Sequence, residues 1–224
     1  MKAKYHYPEF TYHDGLLLRA AIDARERAKN DLATRGANAL ALDAVVAVVM
    51  AAAAAESFAN ELPGRIRVAI RRGVKVPVEF ISCADAIDAL ETRRRATTAK
   101  YQAAAEHISG KRFAERKPPF RDVVLLFELR NSVMHAKPVP DRRLIAIFKQ
   151  RKLTTDVRFP VAENVVGLTW MDRLLDPAIA EWACSAAHRM ILAVLEMIEK
   201  KQTDVLDTVT KWFRDKNKFP TDLR

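Results

Sequence analysis

Apolar residues recur at three- and four-residue intervals along most of the chain, the period of a helix that buries one face. From Asp14, read as an N-cap, to Gly36 the stripe is Leu17, Ala20, Ala21, Ala24, Ala28 and Leu32. Arg25, Glu26 and Lys29 fill the other side. The segment from Asn38 to Leu62 has little polar face before Glu56, which predicts a central helix covered on most sides and ended by Pro63-Gly64. A third helix is predicted from Cys83 to His107, closed by Gly110, and a fourth from Pro118-Pro119 to the neighbourhood of His135. Pro138 and Pro140 limit it, because a residue before proline is pushed out of the α region. The last long helix runs from Pro177 to Lys201, with proline in its first turn and lysines at its end. A short helix at 204–216 packs onto it through Leu206, Trp212 and Phe213.

Two stretches break this period. Residues 65–82 alternate basic and β-branched side chains and read as a loosely packed connector, with or without a short helix. Its Arg65, Arg67, Arg71, Arg72 and Lys75 form either a solvated face or a phosphate-contacting patch. Within residues 141–175, LIAIF, TTDVRF and VVGLTWM are β-capable runs, which predicts a small hairpin inserted between bundle helices. Without internal repeats or low-complexity linkers, residues 1–224 read as one domain.

Composition narrows the class. Half the residues are hydrophobic, only 8% are aromatic and six are Gly, a mixture that favours an all-α fold over a sandwich or barrel. The formal net charge of +10 makes RNA a natural partner. Two cysteines, Cys83 and Cys184, form no CxxC pair, so a reducing cytoplasm is the expected location. The first fifteen residues lack the charged-then-apolar layout of a signal peptide, and the Ala39–Ala55 run is too short and weakly apolar to predict a membrane span. The five histidines show no HExxH or other ligand-like pairing, so neither metal nor cofactor is expected. Trp170, Trp182 and Trp212 read as packing anchors, and His188 as a core or interface residue.

The stretch that carries chemistry is Arg130-Asn131-Ser132-Val133-Met134-His135. On one helix Asn131 and His135 share a face, whereas Arg130 and His135 point roughly 140° apart. A regular helix therefore does not focus both on one small substrate. Two copies crossing at a symmetric interface, or an unwound last turn before Pro138, would. Arg carries a permanent charge and a planar fork that binds phosphate oxygens in two places. His titrates near neutral pH and can move the proton of a 2′-hydroxyl or of a leaving 5′-oxygen. Asn131 can hydrogen-bond a phosphate or the imidazole. Spacing alone is better met by a surface Arg and a His that caps the last helical carbonyls, because both types often sit at helix ends. Glu56, with Asn60 one turn further on, either orients Arg130 from the neighbouring helix or marks where its own helix emerges into solvent.

Arg130-Asn131, three residues, then His135 resembles the signature of the HEPN family, an Arg followed four to six residues later by His, near the end of a late helix of an all-α bundle. The segment AAAAAESFANEL resembles the family's helix in which an acidic residue follows small apolar positions. The resemblance covers the second, fourth and last long helices and does not reach residues 65–82 or 141–175. It implies a HEPN-like bundle of about five main helices and a metal-independent endoribonuclease acting as a homodimer, its two motifs meeting across the interface. Arg130, His135 and Asn131 would then be catalytic, with Glu56 and Asn60 in support, and Lys137 is a further candidate RNA contact. Many family members act in toxin–antitoxin, antiphage or RNA-processing systems, which implies an antitoxin or regulatory protein as a further partner. Others are non-catalytic modules that bind RNA, nucleotides or protein. In one subgroup a Tyr two residues after the His is modified by a partner nucleotidyltransferase. Lys137 stands at that position here, which argues against that regulation.

Overall fold

The computed structural model describes residues 13–35, 42–135, 142–151, 153 and 176–201. Among them the chain is all-α, without a strand. The helices are α1 (His13–Arg35), α2 (Leu42–Arg71), α3 (Val78–Thr92), α4 (Thr97–Ser109), α5 (Phe120–Met134), α6 (Arg142–Gln150) and α7 (Pro177–Lys201). The expected terminal helix at 204–216 lies outside the described residues, as do Trp170, Trp212 and Lys137.

The central position predicted for the second helix holds. α2 packs against α1, α3, α4, α5 and α7. The reason is its alanines: Ala44, Ala47, Ala51, Ala52, Ala54 and Ala55 are all fully buried, and small side chains let neighbouring axes approach closely. On α1, Ala21, Ala24 and Ala28 do the same from the other side. Larger residues fill the levels below: Phe58, Leu62, Ile66, Phe80, Ile87, Leu126, Met190 and Ile191 belong to one continuous core. By length and composition alone, α2 and α7 are apolar enough to cross a membrane, yet 50% and 67% of their most apolar windows are buried inside the bundle.

Three expectations need correction. α2 does not stop at Pro63-Gly64 but runs on to Arg71 with Pro63 inside it. An interior proline loses one backbone hydrogen bond and costs about 3 kcal/mol. Burying Ile66 and Ala69, and anchoring Arg65 to Asp14 and Glu61, offsets that. The helix ends at Arg71, three residues before Val74, and Gly73 then takes a left-handed φ of 81°. Most of the predicted connector is thus helix. Next, the single helix expected from Cys83 to His107 is two, α3 and α4, separated by a turn at Arg93–Ala96. Finally, the LIAIF run is helix α6, not a strand: Leu144 and Phe148, four apart, share the buried face. The other two β-capable runs lie outside the described residues.

Candidate active site

α5 begins at Phe120, and its buried stripe includes Val123, Leu126, Phe127 and Leu129. Arg130 sits four residues beyond Leu126 and so continues that stripe past the core. On α2, Glu56 likewise follows the buried Ala52 by four residues. The two stripes reach their polar ends at the same level, and the charges meet there. Arg130 Nη2 donates to Glu56 Oε2 at 2.8 Å, with the side chains 28% and 40% exposed. A pair this exposed stabilises the fold by at most about 1 kcal/mol. Its effect is to fix the direction of the guanidinium while leaving part of that fork open to solvent.

The second oxygen of Glu56 is also engaged. Thr97 Oγ1, at the first residue of α4, donates to Glu56 Oε1 at 3.3 Å. One turn along α4, Lys100 Nζ donates to Asn60 Oδ1 at 2.5 Å and forms an ion pair with Glu91 of α3. Two residues of α2, Glu56 and Asn60, are therefore matched by two of α4, Thr97 and Lys100. Tyr101 adds its hydroxyl to the Ala55 carbonyl at 2.7 Å and stacks on Phe58, so α4 is held firmly in register. Sequence reading misses Thr97 and Lys100. Their signal is position: both lie on the buried stripe with Tyr101, Ala104 and Ile108, where a lysine requires partners.

Asn131 and His135 are exposed. α5 stays regular through Met134, and the His135 N–H donates to the Asn131 carbonyl at 3.0 Å. The last turn is not unwound up to that residue, so the divergence of roughly 140° between Arg130 and His135 stands within one chain.

The basic residues expected to flank the site do not gather there. Arg65 is 1% exposed and is bound to Asp14 and Glu61 below its own helix surface, so it offers nothing to a polyanion. Arg67 pairs with Asp85 and Asp88 of α3. Arg71 and Arg72 lie fifteen and sixteen residues beyond Glu56, about 22–24 Å along α2, and Lys75 follows them. Among the described residues no group of three or more His, Cys, Asp or Glu is arranged as metal ligands would be. His188 is buried on α7, and Trp182 packs edge-on to Phe148, both as their sequence setting predicts.

Compared with family models, curated proteins and solved structures, the chain matches none.

Proposed function

We propose that the chain is a HEPN-type, metal-independent endoribonuclease whose site forms where two copies bring their α5 ends together. The observation that carries this reading is the Arg130–Glu56 pair: a partly exposed guanidinium, held from a neighbouring helix, five residues before an exposed His135. In the reaction the 2′-oxygen of one nucleotide attacks the adjacent phosphorus, and the bond from phosphorus to the 5′-oxygen breaks. The 2′-hydroxyl loses its proton, the 5′-oxygen gains one, and a 2′,3′-cyclic phosphate and a 5′-hydroxyl are left. Arg130 stabilises the extra negative charge on the phosphate oxygens. His135 moves protons, and Asn131 hydrogen-bonds phosphate or imidazole. A toxin–antitoxin or antiphage setting, with a protein that silences the enzyme, fits such an activity.

The second reading is a non-catalytic HEPN-like module that binds RNA, a nucleotide or a protein. It is favoured by the regular end of α5, which turns Arg130 and His135 away from each other within one chain. Incubating purified protein with RNA in EDTA, as wild type, Arg130→Ala and His135→Ala, separates the two. The nuclease reading expects cleavage by wild type alone, and growth inhibition on expression that His135→Ala relieves. RNA bound but left intact by wild type supports the binding module.

A further inference from the structure

Outside the Glu56–Arg130 pair, the turn between α3 and α4 concentrates positive charge in three consecutive residues. Arg93, Arg94 and Arg95 are consecutive and all exposed. The nearby acids are occupied: Asp85 and Asp88 by Arg67, Glu91 by Lys100, and Glu56 by Arg130. Among the described residues, none of the three guanidinium groups has an ion-pair partner.

The backbone holds these side chains in a defined array. Arg95 N–H donates to the Leu90 carbonyl at 2.9 Å and Arg94 N–H to that of Glu91 at 2.8 Å, the double closure of a Schellman helix end. The residue in the left-handed region is Arg94, at φ 50°. α2 ends in the same way, with Val74 N–H on Ala69 O at 3.1 Å and Gly73 N–H on Ile70 O at 2.9 Å, but places glycine there. A Cβ is disfavoured in that conformation, so at the end of α3 a charged side chain is kept where glycine would be easier. Two residues past Arg95, Thr97 binds Glu56, a backbone span of at most about 7 Å.

We propose that the Arg93–Arg95 turn is the phosphate-binding element of this site, gripping the backbone of single-stranded RNA next to the nucleotide that Arg130 engages. This rests on the nuclease reading for its substrate. It replaces the 65–75 segment, whose arginines are buried, paired or distant, as the source of backbone contacts.

The test measures binding of a short single-stranded RNA in EDTA across a salt series, in the His135→Ala background so that the RNA stays intact. Arg93→Gln/Arg94→Gln/Arg95→Gln is compared with Lys111→Gln/Arg116→Gln/Lys117→Gln, which removes equal charge from the loop at the other end of α4. Each phosphate contact contributes about 0.7 to the slope of log affinity against log salt for single strands. The turn variant should therefore lose about 2 from that slope and on the order of 10-fold or more in affinity near physiological salt. The control should keep the parental slope, and a triple Lys replacement of the turn should keep most of it. Arg94→Gly guards against a folding artefact: it should unfold at a higher temperature while binding RNA more weakly. Parental affinity and slope in the turn variant, or equal losses in the control, would overturn the proposal. If wild type still cleaves RNA in an Arg130-dependent way, the proposal falls alone. If wild type neither binds nor cleaves, the nuclease reading falls with it.

Discussion

Arg130 of α5 and Glu56 of α2 are joined at 2.8 Å, and the other oxygen of Glu56 is held by Thr97 of α4. Three helices thus set the direction of one guanidinium. The pair is too exposed to matter much for folding, so its removal separates orientation from stability. Glu56→Ala should cut kcat/KM for RNA cleavage by roughly 10- to 100-fold, because small misplacements of a positioned group are expensive in the transition state. Thermal unfolding should move by no more than a few degrees. Glu56→Gln, which keeps an oxygen acceptor, should fall between the two. Unchanged kcat/KM for Glu56→Ala would show that Arg130 needs no such support.

Arg130→Lys tests the same site from the other side. Lysine keeps the charge but offers a point donor in place of a planar fork, so it cannot hold Glu56 and a phosphate in fixed geometry together. Cleavage should drop nearly as far as in Arg130→Ala, while RNA affinity at low salt stays near wild type. Full activity in the Lys variant would mean that Arg130 contributes charge alone.

Asp14 and Arg65 form a different kind of pair, each 1% exposed, with Glu61 as a second acceptor and the Phe58 ring 5.4 Å from the guanidinium. Burial pushes the Asp14 carboxyl above its ordinary range even though the Arg65 charge pulls it down. Arg65→Met would leave that carboxylate buried without its countercharge, at a cost of about 3–5 kcal/mol or roughly 6–20 °C in Tm. A carboxyl whose folded pKa is raised favours the fold when protonated, so the penalty grows as pH rises above its unfolded value of 3.8. The loss measured at pH 8 should exceed that at pH 4, and Asp14→Asn should recover part of it. Equal losses at both pH values would show that Asp14 stays neutral or hydrated.

Much of this fold is legible in the residues, and the failures trace to one or two local rules. Alanines at helical spacing place α2 at the centre, and the four-residue steps of α1 and α7 place them around it. Ending α2 at Pro63, however, assigns Arg65 to a solvated connector. Once the helix continues, Arg65 falls beside Leu62, Ile66 and Ala69 on the buried face. Packing overrides proline, and no local signal reports that. In LIAIF the β-branched isoleucines suggest a strand, whereas the four-residue step from Leu144 to Phe148 is the better guide. At the site, sequence leaves Glu56 with two readings, partner or exit to water. The geometry gives both at once, since the carboxylate is half-exposed and bound to Arg130. Thr97 and Lys100 are hidden because pairing across forty residues is a property of the fold.

Cys83 and Cys184 are fully buried, and burial pushes each thiol up to about 12. At pH 8 on the order of one molecule in 10⁴ would carry a thiolate at either site, so the native protein should resist alkylation and react only when unfolded. A raised thiol pKa stabilises the fold at pH below the unfolded value of 9.0 and loses that contribution as pH climbs toward 12. Unfolding should therefore become easier above pH 9, by about 1.4 kcal/mol per pH unit for each thiol. Rapid labelling of native protein by iodoacetamide at pH 8 would contradict both statements.

The regular end of α5 makes the strongest demand on the proposed site. Arg130 and His135 diverge by roughly 140° on a helix that keeps its hydrogen bonding through His135, so one chain does not turn both toward the same phosphate. The proposed two-fold interface between α5 ends would resolve this, because each site would then take Arg130 from one copy and His135 from the other. Such a division has a consequence that a single-chain site lacks. Arg130→Ala and His135→Ala proteins should each be inactive, whereas a mixed dimer would hold one site with both groups intact and one with neither. After random exchange about half the dimers are mixed, so about a quarter of the sites, and a quarter of wild-type activity, should return. Mixing the variants under partial denaturation, refolding, and assaying cleavage against each parent measures this. No recovery, with exchange verified by mass, would place both residues in one chain's site and require the segment after His135 to bend the imidazole back toward Arg130.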